Sequence, residues 1–87
     1  MRLISFHPAA WQQFVNWRRL DHRTADRIER LIEAARRDPE HGDGKPERLR
    51  GPLSSCWSRR IDQKNRLIYR VTGDAIEIIQ IGGHYGD

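Results

Sequence analysis

Two hydrophobic periods divide this 87-residue chain. In the first half, Trp11, Phe14 and Val15 fall at i, i+3 and i+4, one stripe of a helix that runs to about Leu20. Pro8 suits the first turn of that helix, where its missing N–H costs nothing. Ala25, Ile28, Leu31, Ile32 and Ala35 repeat the helical spacing on a second segment whose other face is charged. Asp21 reads as the N-cap of this second helix, Arg36 and Arg37 suit its C-terminal end, and Asp38-Pro39 stops it. So short a link predicts an antiparallel helix hairpin.

A second, two-residue period marks the strands, which lie before the helices and beyond Pro39. RLISF at 2–6 predicts an opening strand, and CWSRRI (56–61), RLIYRV (66–71) and AIEIIQI (75–81) predict three more. Asp62–Asn65 and Thr72–Asp74 are hairpin connections. Between helices and strands lies PEHGDGKPERLRGPLSS (39–55), a Gly- and Pro-rich crossover. The expected architecture is therefore α+β, one domain over 1–87, with a strand and a helix pair packed on an antiparallel sheet. Parity sorts the strand side chains. Leu67, Tyr69 and Val71 should face the helices, leaving Arg66, Ile68 and Arg70 on a basic, solvent-accessible side. Ser58 and Arg60 fall on one side of their strand, and Trp57, Arg59 and Ile61 on the other.

Charge narrows the class of partner. The chain carries 16 Lys+Arg against 12 Asp+Glu, and all the cations but Lys45 and Lys64 are arginine. Residues 39–70 are net basic by four charges, whereas 71–87 carry only acids. Arginine grips phosphate with a planar fork, so nucleic acid is one reading, and a solvated or ion-paired surface is the other. Cys56 is the lone cysteine, which excludes an internal disulfide and fits a cytoplasmic, reducing setting. No apolar run is long enough for a membrane span, and the N-terminus lacks a signal-peptide pattern.

Cleaving RNA without a metal needs a base for the 2′-hydroxyl, a cation for the phosphate charge and an acid for the leaving 5′-oxygen. Glu47, Arg66 and His84 can fill those roles, and Tyr85 can stack on a base or hydrogen-bond a phosphate. By residue type alone the same groups also read as a surface ion pair, a solvated arginine and a frayed end. His7, His22 and His41 show no metal-ligand spacing, Cys56 reads as a packed thiol, and the three tryptophans read as packing residues.

The stretch GKPERLRGPLSSCWSRRIDQKNRLIYRV, residues 44–71, resembles the bacterial YoeB/Txe toxins of the RelE superfamily. The likeness extends from MRLISF to the closing His-Tyr, and it is the ordered combination of GKPE, WSRRI, RLIYRV and His-Tyr that is specific. The resemblance implies a toxin of a type II toxin–antitoxin system, acting as a ribosome-dependent mRNA endonuclease. It implies Glu47 as general base, His84 as general acid, Arg66 as transition-state cation and Tyr85 as nucleotide-placing residue. Arg50 and Arg60, with Lys45, would extend the RNA-binding surface. No metal or other cofactor is implied. The implied partners are a YefM-like antitoxin, the ribosome and mRNA. Operator DNA would be met only through the antitoxin complex, and a homodimer stays open. Gly86 and Asp87 follow the His-Tyr that usually ends the family's chains, and Gly82-Gly83 precede it, which suggests a pliable tail. The alternatives are a non-catalytic toxin of the same fold, such as a ParE-like gyrase poison, and a simple RNA-binding module.

Overall fold

The computed structural model describes residues 2–83. The chain runs β1 (Leu3–Phe6), α1 (Pro8–Leu20), α2 (His22–Arg37), β2 (Glu47–Arg48), a 3-10 turn (Gly51–Leu53), β3 (Cys56–Arg60), β4 (Arg66–Val71) and β5 (Ala75–Ile81). The strands form one sheet in the order β1-β5-β4-β3-β2. Four of them alternate antiparallel, and β1 adds to the edge parallel to β5. The sheet is thus mixed, because the helix pair carries the chain from β1 round to the far side before the hairpins bring β5 back beside it.

Asp21 ends one helix and starts the next. Its N–H donates to the Trp17 carbonyl at 2.8 Å, and its carboxylate caps α2 by accepting from Thr24 N at 3.1 Å and Thr24 Oγ1 at 2.7 Å. Those bonds hold its carboxyl below the usual range. Arg18 of α1 then reaches Asp26 and Glu29 of α2, which fastens the hairpin.

The apolar stripes meet one face of the sheet. Ala10, Ile28, Leu31, Ile32 and Ala35 pack with Leu67, Tyr69, Ile76, Ile78 and Ile81 in one buried cluster. The broken alternation of AIEIIQI has a cause. Ile68 pairs with Gln80 but Tyr69 pairs with Ile78, so Ile79 is an extra residue in a bulge, and Ile81 returns to the core side. Trp17 and Trp57 pack against the core. Trp11 instead remains half-exposed, edge-on to Phe6 with ring centroids 5.3 Å apart.

The crossover 39–55 is more ordered than its composition suggests. The buried Arg59 side chain faces the helices and ties the crossover to the end of α2: Nη1 donates to Asp43 O (2.9 Å), and Nη2 to Asp38 O (2.6 Å) and His41 O (2.8 Å). Its Nε donates to the Tyr69 hydroxyl at 3.0 Å, and that hydroxyl donates to Pro39 O at 2.6 Å. Burial pushes the Tyr69 phenol up, and the Arg59 guanidinium offsets this only in part.

Candidate active site

The face turned away from the helices can be read directly from register. Residues opposite one another on paired strands share a face. Glu47 opposes Ser58, Ser58 opposes Ile68, and Ile68 opposes Gln80, which makes one row across four strands. Two residues along, Arg60 opposes Arg66. At the other end, Cys56 opposes Arg70, which opposes Glu77. Glu47, Arg60 and Arg66 therefore project to the same side. Strand spacing and rise place the Glu47 and Arg66 Cα atoms roughly 12 Å apart, a span that two long side chains can close around one phosphate.

This face is less uniformly basic than parity predicts. Cys56, Ser58 and Ile68 are buried on it. Arg70 Nε lies 3.0 Å from Glu77 Oε1, close enough for an ion pair although off the hydrogen-bond direction, so Arg70 is neutralised by its neighbour. Among the described residues, the end without an acidic partner is Arg60–Arg66. Neither forms an ion pair with another described residue. Like charges directly opposite on paired strands are unfavourable, and an anion between them relieves that repulsion. Arg60 is exposed, while Arg66 is half-buried with Nη1 donating to Asp62 O at 3.2 Å.

The crossover delivers the carboxylate. Gly44 has φ +86°, and its carbonyl accepts from Arg60 N at 2.7 Å. A Cβ there would meet Leu31 Cδ2 at 2.9 Å and Arg59 Cβ at 3.0 Å, so only glycine allows this approach to β3. Lys45 follows with φ 52°, a left-handed residue that turns the chain into β2, and its side chain is exposed. Glu47 and Arg48 are exposed on the edge strand, and the Arg48 guanidinium donates to Ser54 O at 2.8 Å. Arg50 is exposed just before the 3-10 turn.

The C-terminal side meets Arg66 through its backbone. Gly82 N donates to Arg66 O at 2.8 Å, and Arg66 N donates to Gly83 O at 3.1 Å. Both glycines have positive φ, +106° and +77°. They serve a left-handed turn with defined partners, a conformation that favours glycine. His84 and Tyr85, the expected acid and nucleotide-placing residue, lie outside the described residues. A cleft of about 420 Å³ lies on the helix side of this turn, between Trp17, Leu20 and Gly82–Gly83, and neither Glu47 nor Arg66 lines it.

Sequence reasoning missed Arg59 and Asn65. Arg59 was detectable, because parity already put it on the side of Trp57 and Ile61. Asn65 sits in a predicted hairpin, and nothing local showed that its Oδ1 accepts from Gly83 N at 2.8 Å. Among the described residues, no group of three or more His, Cys, Asp or Glu side chains could hold a metal ion. No helix of the described chain is long and apolar enough to cross a membrane.

Comparison with known proteins gives a consistent answer. Residues 6–85 match the family described as YoeB-like toxin of bacterial type II toxin–antitoxin system. The Toxin YoeB of Mycobacterium bovis is 48% identical over 85 residues, covering 98% of this chain and all of that protein. A YoeB/ParE toxin from Agrobacterium tumefaciens superposes with a TM-score of 0.92 at 38% identity, over 98% of this chain and 100% of that one. The toxin in the heterotetrameric YoeB–YefM complex from Staphylococcus aureus superposes at 0.87 with 33% identity, over 98% and 100%.

Proposed function

Since the chain belongs to the family of YoeB-like toxins of bacterial type II toxin–antitoxin systems, we propose that it is an endoribonuclease that cuts mRNA in the decoding site of the ribosome and so stops translation. The observation that carries this reading is the shared face of Glu47 and the Arg60–Arg66 pair, which has no ion-pair partner among the described residues.

In this mechanism Glu47 takes the proton from the 2′-hydroxyl as that oxygen attacks the adjacent phosphorus. Arg66 holds the negative charge that grows on the phosphoryl oxygens, and Arg60 adds a second cation beside it. His84 gives a proton to the departing 5′-oxygen as its bond to phosphorus breaks. The products are a 2′,3′-cyclic phosphate and a 5′-hydroxyl, and no metal enters the scheme. Tyr85 places the nucleotide. Lys45 and Arg50 contact backbone phosphates on either side. Support for the role of His84 comes from the chain itself, since the residue before it is bonded to Arg66 N.

The ribosome has a physical part in this scheme. One base, one cation and one acid cannot by themselves align a flexible strand for in-line attack, and alignment is worth a large share of the barrier. A ribosome presents the message bent and single-stranded, with an anionic surface for the arginines. The proposed inhibitor is a YefM-type antitoxin, as in the related S. aureus YoeB–YefM complex. In this reading an acidic segment of the antitoxin covers the same basic face.

The test compares Glu47→Ala, Arg66→Ala and His84→Ala on programmed ribosomes. Each should lose cleavage by 100-fold or more, on the order expected for such groups, while still folding and binding antitoxin. Unimpaired cleavage by Glu47→Ala and Arg66→Ala would overturn these residue roles, and halted translation with no new cuts by the wild type would leave a binding toxin as the better description.

A further inference from the structure

Gly82 and Gly83 are fully bonded through their backbone. Gly82 N donates to Arg66 O at 2.8 Å, and Gly82 O accepts from Gln80 Nε2 at 2.8 Å. Gly83 O accepts from Arg66 N at 3.1 Å, and Gly83 N donates to Asn65 Oδ1 at 2.8 Å. Every polar backbone group of the two residues therefore has a partner, three of them on Asn65 and Arg66. Just upstream, α1 takes the place of a missing strand. Gln13 Oε1 accepts from Ile81 N at 2.7 Å, and Trp17 Nε1 donates to Ile81 O at 3.3 Å. The chain is thus fixed from both sides immediately before His84.

Asn65 is the side chain bonded to Gly83 N, and its own orientation is determined by chemistry. Asp62 can only accept, and it takes the Asn65 Nδ2 hydrogens at 3.1 and 3.0 Å. Gly83 N can only donate, so the amide oxygen must face it. Asp62 is in turn held by Lys64 N at 2.8 Å and Asn65 N at 2.7 Å. The β3–β4 hairpin thus does more than reverse the chain. It aims a carboxamide at the base of the C-terminal tail, next to the strand position that carries Arg66.

We propose that Asn65, oriented by Asp62, is a positioning residue that sets the point from which the chain continues to His84, and so couples the acid to the Arg66 cation. This rests on the reading of His84 as general acid. Misplacing a reacting group by about 1 Å costs on the order of 100-fold in rate, so a lost anchor should register in turnover more than in binding.

The experiment measures kcat and KM for message cleavage on programmed ribosomes, using the full chain. Asn65→Ala should lower kcat by roughly 10- to 100-fold with KM within about twofold. Asn65→Asp keeps an acceptor for Gly83 N but sets a second carboxylate against Asp62, and it should fail comparably. The charge-conserving exchange Asp62→Asn with Asn65→Asp restores one donor facing one carboxylate, and it should recover most of the lost kcat. A merely structural role would not produce that recovery. Should Asn65→Ala not fold, the exchange variant decides alone: wild-type-like fold with kcat still at the Asn65→Asp level overturns the proposal. Wild-type kcat in a folded Asn65→Ala also overturns it, provided His84→Ala is inactive. Full activity in His84→Ala would instead overturn the acid assignment beneath it.

Discussion

Arg59 and Arg60 are neighbours in the chain and do opposite work. Arg59 is fully buried, facing the helices, and donates to three backbone carbonyls and the Tyr69 hydroxyl. Arg60 is exposed on the other face, opposite Arg66. One arginine builds the crossover that presents Glu47, and the other faces the proposed substrate.

Substitution should separate those roles. Arg59→Met leaves the carbonyls of Asp38, His41 and Asp43 without their donor and should destabilise the fold by roughly 3 kcal/mol in urea denaturation, since losing each of these partly buried bonds costs about 1 kcal/mol. Arg60→Met should change stability by only about 0.5 kcal/mol, as exposed sites usually do. It should also weaken ribosome binding and flatten its dependence on salt by about one counterion. Equal stability of the two variants would contradict the division of labour.

Two glycines with left-handed backbones separate conformation from contact. Gly44 and Gly51 have φ +86° and +71°. A Cβ at Gly44 would strike Leu31 and Arg59, whereas one at Gly51 meets nothing within 4 Å. Gly51→Ala should cost about 1 kcal/mol for backbone strain alone. Gly44→Ala should cost about 1–3 kcal/mol more, because overpacking is added. Thermal melts of the two variants check the ordering.

Acid should loosen the β3–β4 hairpin. Burial pushes the Asp62 carboxyl up, but the hydrogen bonds from Asn65 and the backbone N–H groups of Lys64 and Asn65 outweigh it and hold the group below its ordinary value of 3.8. A depressed folded-state pKa stabilises the fold above the unfolded value, and that contribution is lost as pH falls through the folded one. Wild type should therefore lose stability relative to Asp62→Asn as pH drops from about 5 to 2. Melting temperatures across that range should converge between the two proteins. Parallel curves would show that the carboxylate contributes nothing to the hairpin.

Much of the architecture is legible in the sequence because its causes are local. Pro8, the Asp21 cap, Asp38-Pro39 and the 3.6-residue stripes are each read within one turn of chain. The parity of Leu67 and Tyr69 foretells the core face because a side-chain period of two needs no partner. What escapes depends on distant pairing. The parallel seat of β1 beside β5 joins the two ends of the described chain, and β2 is only two residues long. The bulge at Ile79 is set by β4, and the Asn65–Gly83 bond spans eighteen residues. Composition is also ambiguous for arginine. Arg2, Arg27, Arg48 and Arg59 donate to backbone carbonyls, and Arg18, Arg36 and Arg70 pair with carboxylates, so an arginine count overstates the surface left for RNA. Of the expected site residues, Glu47, Arg60 and Arg66 share a face through register, and Lys45 and Arg50 lie in the crossover that carries Glu47.

The most direct test of the central claim is to map message ends on programmed ribosomes, identifying the chemistry of each end. Wild-type toxin should produce new cuts confined to the codon in the decoding site, with 2′,3′-cyclic phosphate on the upstream fragment, and folded Glu47→Ala should produce none. The same cuts at the same rate from Glu47→Ala, or no new ends from a wild-type toxin that still halts translation, would contradict the account.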